Sequence, residues 1–143
     1  MAARSLQTAQ STAQHTQLIA SIMLINEGLL HAYGLQTDPD TDTNALIQAS
    51  LVHAPMLGEK LGVLRAQGSG FLGRGELPPQ DKGQLLMLRQ RVTELQAETM
   101  RSFDRALALN PQLGSAHRFR ARALLLLDRL DEALKSIEAA EAS

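Results

Sequence analysis

The chain has 143 residues, enough for one domain with its own hydrophobic core. Apolar residues make up 44% of it and aromatic residues only 3%, so leucine, alanine, isoleucine, valine and methionine are predicted to fill the core. The formal net charge of -1 argues against electrostatic binding of nucleic acid, and the lack of cysteine excludes disulfides, zinc–thiolate sites and thiol catalysis.

Four long segments carry apolar residues at alternating intervals of three and four, the repeat of helices packed nearly parallel. We predict helices over residues of about 5–33, 43–66, 79–109 and 111–141. Four such helices joined by short connections indicate an all-α protein. We predict an antiparallel up-down four-helix bundle that forms a single domain, residues 1–143. An even number of antiparallel helices would bring both chain ends to the same pole, as in a domain inserted into a longer polypeptide.

The first predicted helix changes character along its length. No charged residue occurs between Arg4 and Glu27. A second apolar row widens the buried face of the second half: Leu18, Ile22, Ile25, Leu29 and Ala32. An uncharged face can lie against its own copy in a second chain, so we predict a homodimer through helix one, with a solvated face as the alternative. Gly34 is predicted to cap this helix at its C-terminus.

Turn-forming residues separate the later helices. The segment 38–42 predicts a capped turn rather than a calcium loop, because the glycine and the distant glutamate of such a loop are missing. Pro55 falls inside the second helix and is predicted to bend it. The glycine-rich segment 68–75 lacks the lysine and the preceding strand of a phosphate loop, so we predict a chain reversal there.

The middle of the chain resembles a known family. The matching stretches are Asp38-Pro39-Asp40-x-Asp42, a helix with Leu46 and Pro55, Leu61-Gly62-x-Leu64-Arg65-x-x-Gly68 and Leu72-x-Arg74-Gly75-x-Leu77-x-Pro79. They are similar to the extracytoplasmic helical-bundle sensor domain of bacterial methyl-accepting chemotaxis proteins and related sensor kinases. The resemblance covers mainly residues 35–110. It departs from the family at Thr43-Asn44-Ala45, where a Ser-Tyr-Tyr type of sequence is usual.

The resemblance implies a periplasmic domain of an inner-membrane chemoreceptor, with both chain ends leading into membrane-spanning helices. It also implies a dimer that binds a small organic acid or amino acid and signals by small helix shifts. The same kind of sensor serves histidine kinases and diguanylate cyclases. We therefore expect a small-molecule ligand, no nucleic acid, no cofactor and no enzymatic activity in this domain.

Arginine pairs are the candidates for capturing a carboxylate, because the guanidinium fork bonds two oxygens at once. Arg118 and Arg122 lie four residues apart on the last predicted helix, and Arg101 and Arg105 do so on the third. These pairs predict a di- or tricarboxylate ligand near the pole away from the chain ends. Helix one brings four more polar side chains to that pole: Asn26, Glu27, His31 and Tyr33. A solvated face with weak ion pairs is the alternative.

The four histidines have no i, i+4 partner suited to zinc, and no nucleophile motif or paired carboxylates accompany them, so no metal site is predicted. His53 differs from the others because it falls on the buried row of the second helix. Two roles stay open for it, a core histidine with a hydrogen-bond partner and a ligand contact.

The C-terminal third also resembles a tetratricopeptide repeat. Counted back from Pro111 as the closing proline, Phe103 and Ala106 take the aromatic and small positions of the 34-residue unit. Three further small positions fall in the next unit: Ala121, Ala133 and Ala140. The alternative function is thus a helical protein–protein interaction module, although residues 1–80 show no such period. The two hypotheses differ at residues 128–130, where a repeat needs a helix break and the bundle needs a continuous helix.

Overall fold

The computed structural model describes the backbone of residues 2–143 and the side chains of residues 10–143. Within that part the chain forms five helices and no strand. The helices are α1 (Ala2–Ala32), α2 (residues 41–74), α3 (Pro79–Leu109), α4 (Gly114–Leu126) and α5 (Leu130–Glu141). The all-α prediction is confirmed, but the helix count differs from the predicted four because two helices replace the one expected over residues 111–141.

α2 is one bent helix with a widened turn inside it. It is α-helical over Thr41–Ile47, π-helical over Gln48–His53 and α-helical again over Ala54–Arg74. The π segment comes just before Pro55, whose ring would clash with the carbonyl four residues earlier in a regular α-helix. In the wider turn the amide of Ala54 donates to the carbonyl of Ala49, five residues back. The distortion expected at Pro55 therefore takes the form of a π turn.

α2 continues through the glycine-rich segment, so the chain reversal predicted over residues 68–75 is wrong. The helix ends only at Gly75, whose φ of 70° is left-handed and whose amide donates to the carbonyls of Phe71 and Leu72. Each glycine inside a helix costs about 1 kcal/mol relative to alanine. Within this stretch the guanidinium of Arg74 lies over the Phe71 ring at 4.9 Å from its centre.

The break between α4 and α5 is the largest departure from the predicted bundle. Asp128 takes a left-handed φ of 58°. The amide of Arg129 donates to the carbonyl of Leu124, and that of Asp128 donates to Leu125. This pair of bonds is a Schellman motif, which satisfies the last carbonyls of α4 and turns the chain back. The prediction of one helix over residues 111–141 is therefore wrong, and α4 and α5 form a closely packed hairpin.

The core follows α3, which contacts α2 on one side and the α4–α5 hairpin on the other. Its centre contains Phe103, Leu124 and Ala133. Two smaller clusters extend it, one around Ala106 and Ala116 and one made of Leu57, Val92 and Leu95. The predicted bounds of α3, 79–109, are confirmed.

α1 packs lightly on the rest of the protein. Among its described side chains Leu30 is buried, whereas most of the others are exposed. The apolar row predicted to widen its buried face is half or more exposed in four members: Leu18, Ile22, Ile25 and Leu29. The cap predicted at Gly34 is confirmed by its φ of 64°. The start of the helix predicted over residues 5–33 includes Leu6 and Ala9, which lie outside the described side chains.

The two chain ends lie at opposite poles of the helices. Asn110, after α3, donates from Nδ2 to Asp42 Oδ2 at 3.2 Å, which places the turns before α2 and after α3 at one pole. Ser143 lies beside Gly114 at that pole, because α5 runs back toward the start of α4. Residues 11–19 of α1 lie beside residues 59–66, away from that pole. The expectation of both ends at one pole is therefore wrong.

Among the described residues, no helix combines the length and the apolar character needed to cross a bilayer.

Candidate functional site

A polar pocket of about 260 Å³ lies between the first half of α2 and the last turns of α3. We call it the polar pocket, and its walls are Asp38, Thr41, Asn44, Ala45, Gln48, His53, Ser102 and Arg105. The π turn forms one wall, with Gln48 at its start and His53 at its end. Such turns occur frequently at functional sites, because the extra residue re-aims the side chains next to it.

His53 and Ser102 join the two walls of the polar pocket. Nδ1 of His53 lies 3.0 Å from Oγ of Ser102, within hydrogen-bond distance, and both side chains are half-buried. The serine can donate to the imidazole or accept from it, depending on the tautomer. The bond ties the π turn of α2 to α3 across the pocket. His53 has the hydrogen-bond partner expected of a core histidine, and it also lines the pocket, as a ligand contact would require.

Arg105 gives the polar pocket its positive charge. It projects from the exposed side of α3, and no acidic side chain of the described residues pairs with its guanidinium. Asp38 also lines the pocket, but its Oδ1 accepts the backbone N–H of Asp40 at 2.9 Å and so serves the turn. An anion entering the pocket would find one unpaired guanidinium, a hydroxyl, an imidazole and an amide.

The turn above the polar pocket is held in place by polar side chains. Asn44 donates from Nδ2 to the carbonyl of Gln36 at 3.0 Å. Asp42 accepts the bond from Asn110 and also the backbone N–H of Thr43. The bond from Asn110, followed by that from Thr43, lowers the pKa of the Asp42 carboxyl below its ordinary value. The segment 38–42 thus forms the turn that its sequence predicts, but the predicted cap is absent, because Asp40 at the start of α2 makes no side-chain capping hydrogen bond.

The structure brings two of the predicted binding residues together and separates the others. His53 and Arg105 share the polar pocket. Seven of the predicted residues are exposed: Glu27, His31, Tyr33, Arg101, Arg105, Arg118 and Arg122. Asn26 faces the other side of the π turn, where its Nδ2 donates to the carbonyl of Leu51 at 2.7 Å.

Sequence reasoning missed Ser102 and Arg120. Ser102 lies on the apolar stripe of α3, and a hydroxyl at a core-facing position was the signal that it meets a polar partner. Arg120 is half-buried and donates to Asp104 Oδ1 at 3.1 Å and to Ser136 Oγ at 2.8 Å. It lies four residues from both Ala116 and Leu124, which are buried, and that spacing could have distinguished it from its exposed neighbours.

In residues 10–143 no group of three or more histidine, aspartate or glutamate side chains is placed to hold a metal ion. The polar pocket contains a histidine beside a serine, but the Asp38 carboxylate accepts a bond from the turn rather than from the imidazole. The polar pocket therefore holds one carboxylate and one guanidinium, together with an imidazole and a hydroxyl.

No protein-family model matches this chain, and comparisons with curated proteins and with solved structures find no match either.

Proposed function

We propose that this chain is a ligand-sensing helical domain that binds a small carboxylate in the polar pocket. The observation that carries the proposal is the convergence of His53, Ser102 and Arg105 on one pocket at a π turn. The guanidinium can bond two carboxylate oxygens, and the hydroxyl and imidazole can serve a third polar atom. The pocket volume of about 260 Å³ suits a small metabolite. Asp38 at its wall would also accommodate the ammonium group of an amino acid.

Membrane attachment in the periplasm is part of the same proposal. It rests on the resemblance of residues 38–79 to the sensor domains of chemotaxis receptors and sensor kinases, and this stretch supplies most of the pocket walls. The output module of such a receptor would be a chemotaxis signalling domain, a histidine kinase or a diguanylate cyclase.

Signalling would pass through the π turn. A ligand that contacts Gln48 and His53 pulls on one face of this turn, while the carbonyl of Leu51 on the other side accepts the bond from Asn26 of α1. A change in the turn therefore acts on a helix that has few other contacts with the body. Packed helices with discrete alternative positions convert small displacements into such shifts.

The first prediction is that a carboxylate stabilises the protein through Arg105. In a thermal-shift screen of organic acids and amino acids, a ligand at about a hundred times its Kd should add roughly 2.7 kcal/mol and raise the Tm by several degrees. Arg105→Ala should abolish the shift, because it removes the cation of the polar pocket. Titration calorimetry of the best compound should then give a Kd at least about tenfold weaker for the variant, as for a charged hydrogen-bonded contact.

Arg101→Ala is the matched control, since Arg101 lies one turn away on α3 and lines no wall of the polar pocket. It should bind like the unmodified protein. Equal weakening in both variants would mean a diffuse electrostatic effect and would contradict a site at Arg105. Loss of binding in Arg118→Ala or Arg122→Ala, with Arg105→Ala unaffected, would move the site to α4.

A homodimer through α1 belongs to the proposal as well. Leu18, Ile22, Ile25 and Leu29 form a row at helical spacing whose members are each at least half exposed. The helix carries no charged side chain between Arg4 and Glu27, so two copies can approach along that length without like-charge repulsion. Burial of this row against a second copy would stabilise the dimer by about 25 cal/mol for each Å² of apolar surface removed from water.

A second candidate function is a helical interaction module in the C-terminal half. The observation that favours it is the helix break at Asp128, which a tetratricopeptide-like hairpin requires. The small side chains of Ala121 and Ala133 are buried in the hairpin, as in such repeats, and α5 exposes Leu130 and Leu134. This candidate predicts a peptide partner and a thermal-shift screen in which no organic acid or amino acid has an effect.

A further inference from the structure

A second cavity, of about 560 Å³, lies on the other side of the π turn from the polar pocket. It lies between α1 and α2 and is partly open to solvent, and we call it the apolar cavity. Its walls include Met23, Leu30, Leu51, Val52 and Met56. The volume falls within the roughly 300–1,000 Å³ typical of small-molecule sites. Methionine side chains are flexible and polarizable, so they adapt to apolar ligands of different shapes.

One charged group lies at the apolar cavity. Of the described side chains that line it, Glu27 alone carries a formal charge, and no lysine or arginine is among them. The Glu27 carboxylate has no ion pair or hydrogen bond with the described residues, and the Glu27 side chain is exposed to solvent. An apolar molecule with a positive group at one end would meet both features, since its hydrocarbon part would lie against the cavity walls and its cation against the carboxylate.

The apolar cavity is separate from the proposed dimer surface. Successive residues of an α-helix are rotated by about 100°, so side chains can be assigned to a side of α1. Ala20, Met23 and Glu27 point to the cavity, whereas Ile22 and Ile25 belong to the exposed row on the opposite side. A second copy seated on that row would leave the cavity open.

We propose that the apolar cavity is a binding site for an amphiphilic cation, a molecule with a hydrocarbon chain and a terminal ammonium group. Glu27 selects the charge, and the side chains of Met23 and Met56 enclose the chain. Binding fills the space between α1 and the π turn, so it fixes a helix that otherwise depends on few contacts, among them the bond from Asn26 to Leu51. The site does not depend on the carboxylate proposal, because it shares no wall residue with the polar pocket.

The experiment is a calorimetric titration of the full chain with octyltrimethylammonium, octyl sulfate and 1-octanol, each below its aggregation concentration. We expect saturable 1:1 binding of the ammonium compound and binding of the sulfate at least about fivefold weaker. Glu27→Gln should reduce this preference to less than about twofold, as for an exposed ion pair. Hydrogen exchange should show slower exchange of backbone amides 20–30 in the complex with the cation.

Ala20→Trp tests the location, because a large side chain at this exposed wall position fills the apolar cavity without changing the core. It should abolish binding, whereas Ala13→Trp, exposed on the same helix and outside the cavity walls, should leave it unchanged. Equal binding of sulfate and ammonium, or binding that survives Ala20→Trp, would overturn the proposal. The proposal would also be overturned if the ammonium compound did not bind and backbone amides 20–30 were already protected in the free protein. A second copy of the chain would then cover the cavity.

Discussion

Pro55 links the two sides of the candidate site at the level of single residues. It has no N–H to donate to the carbonyl of Leu51, four residues earlier. Asn26 of α1 donates to that oxygen instead, at 2.7 Å. The π turn that precedes the proline also places Gln48 and His53 at the polar pocket. One proline therefore provides both the acceptor that holds α1 and the local widening that forms the pocket wall.

The prediction at this scale is a coupling between Asn26 and Pro55. Asn26→Ala should cost about 1 kcal/mol of unfolding free energy, the net value of one hydrogen bond. In a Pro55→Ala background, residue 55 regains an N–H that can donate to the carbonyl of Leu51. Asn26→Ala should therefore cost at least about 0.5 kcal/mol less unfolding free energy in that background than in the unmodified protein. Urea unfolding of the four proteins measures the cycle.

Ser21→Ala is the matched control for this cycle. The Ser21 hydroxyl on α1 donates to the carbonyl of Gln17 within its own helix, so its removal should have the same small effect in both backgrounds. An Asn26→Ala cost that is identical with and without Pro55 would show that the asparagine bond does not compensate for the missing N–H.

The α4–α5 hairpin shows at the element scale how one residue decides between two folds. Residues 114–141 carry an apolar pattern that is compatible with one long helix, but Asp128 is left-handed and ends α4. Arg129 then donates to Glu132 through Nε and Nη2, at 2.7 and 2.6 Å. The hydrogen bond from Arg129 lowers the pKa of the Glu132 carboxyl. The turn is thus stabilised on both sides, and α5 folds back along α4.

The prediction for this element is that Asp128→Gly stabilises the protein. Glycine adopts a positive φ without the steric cost of a Cβ, and this gain exceeds the extra chain entropy of the unfolded state. We expect an increase of about 0.5–1 kcal/mol in the free energy of unfolding, measured by urea denaturation.

Ala97→Gly, at an exposed position inside α3, is the control and should lose about 1 kcal/mol. The sign of the Asp128→Gly effect is decisive. If residues 111–141 formed a continuous helix, Asp128→Gly would instead destabilise the protein by about 0.3 kcal/mol, because glycine is a poorer helix former than aspartate.

The whole molecule consists of a packed body and a lightly attached α1. The body is built around α3, which contacts α2 and the hairpin and contains most of the large buried side chains. α1 spans 31 residues, about 46 Å at 1.5 Å per residue, and most of its described side chains face solvent. Exposed apolar rows of this extent mark interaction surfaces in soluble proteins.

At this scale we predict a dimer that depends on the exposed row of α1. Sedimentation equilibrium should show dimers at micromolar concentrations, and Ile22→Glu with Ile25→Glu should shift the protein to monomer, because charges on the row would be buried unpaired. Leu125→Glu, which changes a similarly exposed leucine on α4, should leave the dimer intact. A monomer in the unmodified protein, or dissociation by Leu125→Glu, would contradict the assignment.

Local signals in the sequence determined several features correctly. The stripe of α3 and the prolines at its start set its bounds at 79–109, and Gly34 marked the end of α1, because these signals act within a few residues. The scarcity of aromatic and alternating β-branched residues determined the all-α class. His53 was identified as a special histidine because its row is buried, although the row does not reveal its partner, Ser102, 49 residues later.

Tertiary structure alone decided the rest. Two helices can share one apolar periodicity, so the pattern of residues 111–141 left both a continuous helix and a break at residues 128–130 open, and packing of α5 back onto α4 accompanies the break at Asp128. Glycines at 68–75 permit either a turn or a helix, and in the folded protein the helix continues to Arg74. The polar pocket joins residues about 50 positions apart, and only chain topology brings Arg105 to His53 while leaving Arg118 and Arg122 in solvent. Sequence periodicity reports which face of a helix is buried, whereas the partner of that face is set by long-range packing.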